Sequence, residues 1–142
     1  MSVSKKIRVE TFVAIHALEV HRRNLIEMGT QDTLDEWKRW VKDWEEGGPA
    51  YTIRVNDEIA VCCGVHVNSG HLGECWMIQT STFYANVKEV FKVMKGLIRK
   101  IIEDHKIEVI ALVELDFWKG KTFVLHLGFE EEGNFTLFRR KR

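Results

Sequence analysis

The sequence predicts an α/β (α+β) fold, a mixed and twisted central sheet of about six to seven strands with helices on both faces. Three observations lead there. The elements follow one another as β-α-α-β-β-β-α-β-α-β-β. A hairpin in the middle of that order imposes antiparallel pairing, whereas one long amphipathic helix joins two later strands as a crossover. Apolar residues keep a period of two in the strands and about 3.6 in the helices. A chain of 142 residues, 45% hydrophobic and 30% charged, suits one domain spanning 1–142.

"KIRVE", residues 6 to 10, reads as the first strand. A helix from about Thr11 to Met28 follows, with Gly29 as its stop and Phe12, Ile15, Leu18, Leu25 and Ile26 broadly on one side. Thr33 and Glu36 form a capping-box pattern, and Trp37, Trp40, Val41 and Trp44 then recur at helical spacing until Gly47 and Gly48. Such a tryptophan stripe serves a core, or an aromatic recognition surface if one ring protrudes.

The single proline, Pro49, marks the break before a hairpin. "AYTIRV" and "IAVCCGVHV" are its strands and "NDE" its turn. In the second strand Ile59, Val61, Cys63, Val65 and Val67 share one face, and the small Ala60, Cys62 and Gly64 share the other with His66. The loop "NSGHLGE" leads to a short strand, "CWMIQT", and His71 lies exposed in that loop.

The long helix, about Ala85 to His105, carries an apolar stripe of Val87, Val90, Phe91, Met94, Leu97, Ile98, Ile101 and Ile102. "IEVIALVE" is a buried strand rich in β-branched residues. A fourth helix near Phe117 to Leu127 stops at Gly128, and two strands flank a turn at Gly133–Asn134.

Lys and Arg number 21, as do Asp and Glu, so charge offers no general argument for nucleic acid or an anionic membrane. The basic end "RRKR", Arg139 to Arg142, reads as a solvated tail. No apolar run is long enough to span a bilayer and no signal-peptide core follows the first lysines, so a cytoplasmic protein is expected. Cys62, Cys63 and Cys75 lack metal-ligand spacing, so no metal is expected and all three read as small buried residues.

"WMIQTSTFYANVKEV", residues 76 to 90, is a strand, a polar turn and a helix start, the arrangement that binds phosphate on free amides, yet its turn has no glycine. The element order resembles the GNAT superfamily of acyl-CoA-dependent N-acetyltransferases. "LDFWKGKTFVLHLGFEEEG" looks like the closing helix and strand of that family, with Leu127, Gly128 and Phe129 matching its Leu-Gly-Phe. "GECWMIQTS" and "FTLF" look more narrowly like a GNAT-like family of short-tailed bacteriophages that includes small internal virion proteins.

The resemblance implies acetyl-CoA as cofactor. Its pantetheine arm would pair with the backbone of Ile78, Gln79 and Thr80, and its pyrophosphate would meet Ala85, Asn86, Val87 and Lys88, where the family has Gly-x-Gly or Gly-x-Ala. Lys88 and Lys92 could compensate as cations. Without that ligand the turn is a capped helix start, with Ser81, Thr82 or Asn86 as the cap. Glu74, opening the central strand, and His66 are the candidate bases, against the plainer readings of a solvated strand end and a hydrogen-bonded histidine. Val124 stands where many members place a tyrosine acid, and Leu115, Asp116 and Phe117 lack the family asparagine. Two functions fit: acetylation of an amine on a small molecule or protein, or a non-catalytic protein that binds a virion or host-protein partner.

Overall fold

The computed structural model describes residues 5–28, 34–112, 125, 127–131 and 137–140. The elements are β1 (Ile7–Thr11), α1 (Ala14–Met28), α2 (Leu34–Glu46), β2 (Ala50–Val55), β3 (Glu58–Ser69), β4 (Leu72–Gln79), α3 (Ser81–Ala85), α4 (Val87–His105), β5 (Glu108–Leu112), β6 (Glu130–Glu131) and β7 (Leu137–Arg140). They form one 7-stranded sheet in the order β1-β2-β3-β4-β5-β7-β6, so the expected architecture holds. Every neighbouring pair is antiparallel except β4 and β5, which α4 joins as a crossover.

Both faces of the sheet are buried, each against its own core. On one face Val61, Cys63 and Val65 meet Val90, Met94, Ile98, Ile101 and Ile102 of α4. On the other, Ile59 and Cys62 meet Ala17 and Val20 of α1 and Trp37 and Val41 of α2. The apolar stripe of α4 thus packs as its periodicity predicts. No glycine stops that helix; Lys106 takes the left-handed conformation at φ 53° and returns its amide to the Ile102 carbonyl.

The hairpin turn is Asn56–Asp57, with φ of 50° and 69°. Two successive left-handed residues match the twist of the flanking strands, and Asn and Asp tolerate them best after glycine. The side chain of Asn56 also accepts the Lys6 amide at 3.0 Å, which ties the turn to the start of β1.

Several local expectations are corrected. β1 runs on to Thr11, which pairs with Tyr51, so α1 begins at Ala14 rather than Thr11. The Ala14 amide donates to the Glu45 carboxylate of α2, a favourable charge at a helix N-terminus. α1 buries Ala17, Val20, His21 and Asn24, while Ile15, Leu25 and Ile26 are exposed. The inward face meets Ile59 and Cys62 of the sheet and Trp37 and Val41 of α2, and Asn24 on it bonds the Gln79 carbonyl, so long-range partners rather than the largest apolar residues select it.

A bulge in β3 also upsets the alternation. Ile53 pairs with Val61 and the next residue, Arg54, pairs with Ile59. The skipped Ala60 joins the α4 core and Ile59 joins the α1–α2 core, the reverse of strict alternation.

β4 starts at Leu72, not Cys75, because Leu72 and Gly73 pair with Ser69 and Val67 and again with β5. The expected loop shrinks to a turn at Gly70–His71, and Glu74 lies inside the strand. A short helix, α3, precedes the long one, which starts at Val87 rather than Ala85; its cap is Thr80, whose hydroxyl accepts the Thr82 amide at 3.2 Å. The Thr33–Glu36 capping box, the stop at Gly29, most of the helix near Phe117 to Leu127 and the Gly133–Asn134 turn lie outside the described residues or side chains.

The chain leaving α2 threads tightly against β3. The Val65 amide donates to the Pro49 carbonyl at 3.0 Å and the Val67 amide to the Gly47 carbonyl at 2.9 Å. A Cβ on Gly48 would strike the Val65 carbonyl oxygen, which the sheet holds in place, whereas a Cβ on Gly96 in α4 would meet nothing within 4 Å. Gly48→Ala should therefore destabilise by about 1–3 kcal/mol, and Gly96→Ala should stabilise by about 0.5–1 kcal/mol. Urea unfolding of the two variants checks both signs.

Candidate functional site

The middle of the sheet opens. β4 and β5 pair through Leu72 with Glu108, Gly73 with Val109 and Glu74 with Ile110, and no further. β4 then continues through Cys75–Gln79 supported by β3, and β5 through Ala111 and Leu112 supported by β7. Among the described residues no strand pairs with the β5-facing edge of Cys75–Gln79. Backbone donors and acceptors on such an edge require another partner.

Beyond the opening stand α3 and the start of α4. Thr80 is buried, with its amide on the Ala60 carbonyl at 3.0 Å and its hydroxyl on the Ile59 carbonyl at 2.7 Å. The Gln79 carbonyl accepts from Asn24 Nδ2 at 3.0 Å, and the Gln79 side chain donates to the Tyr84 hydroxyl at 3.0 Å. Ile78 points to the α1–α2 core.

At the helix start the expected amides differ in availability. The Asn86 amide donates to the Phe83 carbonyl at 3.0 Å, and its side chain donates to the Thr82 carbonyl at 2.8 Å instead of capping α4. No hydrogen bond joins the amides of Val87 and Lys88 to another described residue. Ala85, Lys88 and Lys92 are exposed. Glu89 complicates the picture: its carboxylate turns back to its own backbone amide and pairs with Lys5 Nζ at 3.2 Å, both of which hold the carboxyl below the usual range. A negative charge thus stands in the first turn of α4.

At the closed end of the opening lies a cleft of about 230 Å³, lined by Trp40, Asp43 and Trp44 from α2, His66 and Asn68 from β3, and Glu74 and Trp76 from β4. His66 and Glu74 are direct cross-strand partners, so the two candidate bases share one site. Trp44 stacks on Trp76 with centroids 4.8 Å apart and planes at 13°. Trp40 tilts against Trp44 at 6.4 Å. Trp37 is 5% exposed and belongs to the core, while Trp40 is 42% exposed, so the tryptophan stripe is divided between core and surface. His71 is exposed at its turn.

Sequence reasoning missed Arg23 and Asn24. Arg23 reaches from α1 to the Ile59 carbonyl at 3.1 Å and to the hydroxyls of Ser81 and Thr82 at 3.0 and 3.1 Å, fastening α1 to α3. Their large apolar neighbours, Leu25 and Ile26, drew attention away from this polar face, and only the long-range contacts reveal it.

No group of three or more His, Cys, Asp or Glu residues among those described could hold a metal ion, and no described helix is long and apolar enough to cross a membrane.

No protein-family model and no curated protein matches the chain. Solved structures do. A proposed acetyltransferase from Acinetobacter baylyi ADP1 matches with a TM-score of 0.72 at 12% identity, over 99% of this chain and 95% of that one. A chimeric spermidine N-acetyltransferase from Vibrio cholerae matches with a TM-score of 0.67 at 14% identity, over 94% and 92%. An aminoglycoside acetyltransferase solved in complex with coenzyme A matches with a TM-score of 0.69 at 11% identity, over 96% and 95%. The chain therefore has the fold of the GNAT acetyltransferases.

The cysteines stand apart from this chemistry. Burial pushes the Cys62 and Cys75 thiols up to about 12, and Cys63 rises for the same reason. A thiol so raised is almost wholly protonated, and hence unreactive, at neutral pH. Cys62 and Cys63 are buried while Cys75 is only half-buried, so iodoacetamide at pH 8 should add no more than one label to the folded protein and three in denaturant. Intact-mass measurement distinguishes this from rapid native labelling of all three, which would mean that the core opens.

Proposed function

We propose that the chain is an acyl-CoA-dependent N-acyltransferase that moves an acetyl group from acetyl-CoA to an amine. The parting of β4 from β5 beyond Glu74 carries this reading, because it leaves a backbone edge between the cleft and the α4 start. The likeness to acetyltransferase structures supports it, one of them solved with coenzyme A.

The residues fit the cofactor unequally. The open edge of Cys75–Gln79 suits the amides of a pantetheine arm. The diphosphate would rely on the Val87 and Lys88 amides and the side chains of Lys88 and Lys92, with Ala85 and Asn86 beside them but the Asn86 amide already taken. Ile78 and Gln79 would border the arm, and Thr80 would hold the strand end through its bonds to β3. The bound cofactor supplies the acetyl thioester.

Glu74 takes one proton from the incoming ammonium, so that the amine nitrogen carries a lone pair. His66, directly opposite, can share that proton. In the transfer a C–N bond forms and the C–S bond breaks. The second amine proton neutralises the departing thiolate, and the first leaves to solvent. Lined by indole rings, the cleft limits water that would compete for the thioester.

Acetyl-CoA at a hundredfold excess over its Kd should raise stability by about 2.7 kcal/mol, seen as a higher Tm. No shift at millimolar cofactor would remove the enzyme reading. Glu89→Gln takes a negative charge from the α4 start and should tighten CoA binding about two- to fivefold. Weaker binding would mean that Glu89 does not face the diphosphate. Glu74→Gln should lower kcat by about 100-fold or more while the Kd for acetyl-CoA stays constant. Unchanged kcat would take Glu74 out of the mechanism.

The Glu89 charge at the α4 start disfavours a bound diphosphate, and with it stands a second reading, in which the protein acts by binding a partner without acyl transfer. Failure of both wild type and Glu89→Gln to bind CoA would favour it.

A further inference from the structure

We infer that the cleft between α2 and the sheet takes a small dicationic amine, one with a primary amine that reacts and a second cationic centre, a few bonds away, that does not. The reactive end of this inference rests on the acyltransferase reading; the binding end rests on the cleft alone.

Consider first what lines the cleft. Indole rings of Trp40, Trp44 and Trp76 form its walls, Asp43 and Glu74 bring carboxylates, and no described Lys or Arg takes part. Neither carboxylate enters an ion pair with a described residue. Indole faces attract cations, and so do unpaired carboxylates. An anion would be repelled, and a neutral apolar ligand would desolvate two charges without compensation.

The need for a second cation follows from the reaction. An amine attacks a thioester only when neutral, so the nitrogen beside Glu74 gives up its charge before the bond forms. A monocationic amine would then lose its attraction to the indole faces and to Asp43 at the moment when binding should be strongest. Asp43 and Trp40 sit on α2, across the cleft from the strand that holds Glu74. They stabilise the transition state only by holding a charge that survives. A volume of about 230 Å³ also limits length. It lies below the roughly 300–1,000 Å³ of pockets for drug-sized ligands, so the two cationic centres are a short chain apart.

The test is a titration of tryptophan fluorescence at low salt, without cofactor, using 1,4-diaminobutane, butylamine and butanol. The diamine should bind on the order of tenfold more tightly than butylamine, and butanol not measurably. Asp43→Asn should bring the diamine to the level of the monoamine. Asp43 is exposed, and its side chain makes no hydrogen bond or ion pair with another described residue, so this variant should remain folded. Trp40→Ala, also at an exposed position, provides a second variant with the same expected loss. Equal affinity for diamine and monoamine, or an unchanged preference in both variants, overturns the inference. A mass-spectrometric assay with acetyl-CoA separates the two claims. Acetylation of butylamine with no preference for the diamine removes the dication site and leaves the acyltransferase. Tight diamine binding with no acetylated product keeps the site and removes the acyltransferase.

Discussion

The incomplete pairing of β4 with β5 is the constraint on which the rest of the site depends. Parallel strands joined by a helix normally pair along their shared length. Here each strand has a second neighbour, β3 for β4 and β7 for β5, so the two can part without either becoming a lone strand. The opening therefore costs one row of hydrogen bonds rather than a sheet. It also sets the positions of everything else: α3 and α4 begin at its wide end, and Glu74 stands where the strands last touch.

Along β4 the alternation of side chains divides the work. Cys75 and Met77 pack against the α4 core, while Glu74, Trp76 and Ile78 turn to α1 and α2. The face that supports the sheet and the face that lines the cleft are thus the two sides of one short segment. Trp76 joins both functions, stacked on Trp44 at the cleft and edge-on to Phe12 at 5.1 Å in the core beneath. Its Nε1 is buried with no partner among the described residues, a cost set against two aromatic contacts.

Much of this was legible in the sequence where a signal is local. The stripe of α4, the bounds of β2 and the Asn56–Asp57 turn all follow from periodicity and turn chemistry. What escaped depends on distant partners. Leu72 and Gly73 look like loop until β3 and β5 pair with them. The buried face of α1 is the one that carries Ala17, Val20, His21 and Asn24, not the one on which its largest apolar residues fall. The Ala60 bulge leaves no trace in the residue types around it. The resemblance to acetyltransferases foresaw the fold, and the pairing of His66 with Glu74 gave its two candidate bases a common site that spacing alone did not reveal.

One departure from the resemblance bears on whether such a site can work. The sequence has Val124 where a tyrosine acid is expected. Tyr84 is the tyrosine nearest the opening, but its hydroxyl meets Gln79, five residues along β4 from Glu74. An extended strand rises about 3.3 Å per residue, which puts Gln79 roughly 17 Å from Glu74. Tyr84 therefore stands at the α3 end of the opening, too far away to serve a thiolate that would leave beside Glu74. The need for an acid is modest, however. A thiol with an ordinary pKa of about 8.5 is already a fair leaving group at neutral pH. Removing a proton from an ammonium is the harder requirement, because a primary alkylamine resembles the lysine side chain, with a pKa of about 10.4. On the proposed reading, a second cation nearby would lower that pKa by repulsion, and Glu74 with His66 would supply the acceptor. On that reading, the residues this chain keeps would serve the half of the reaction that can least do without help.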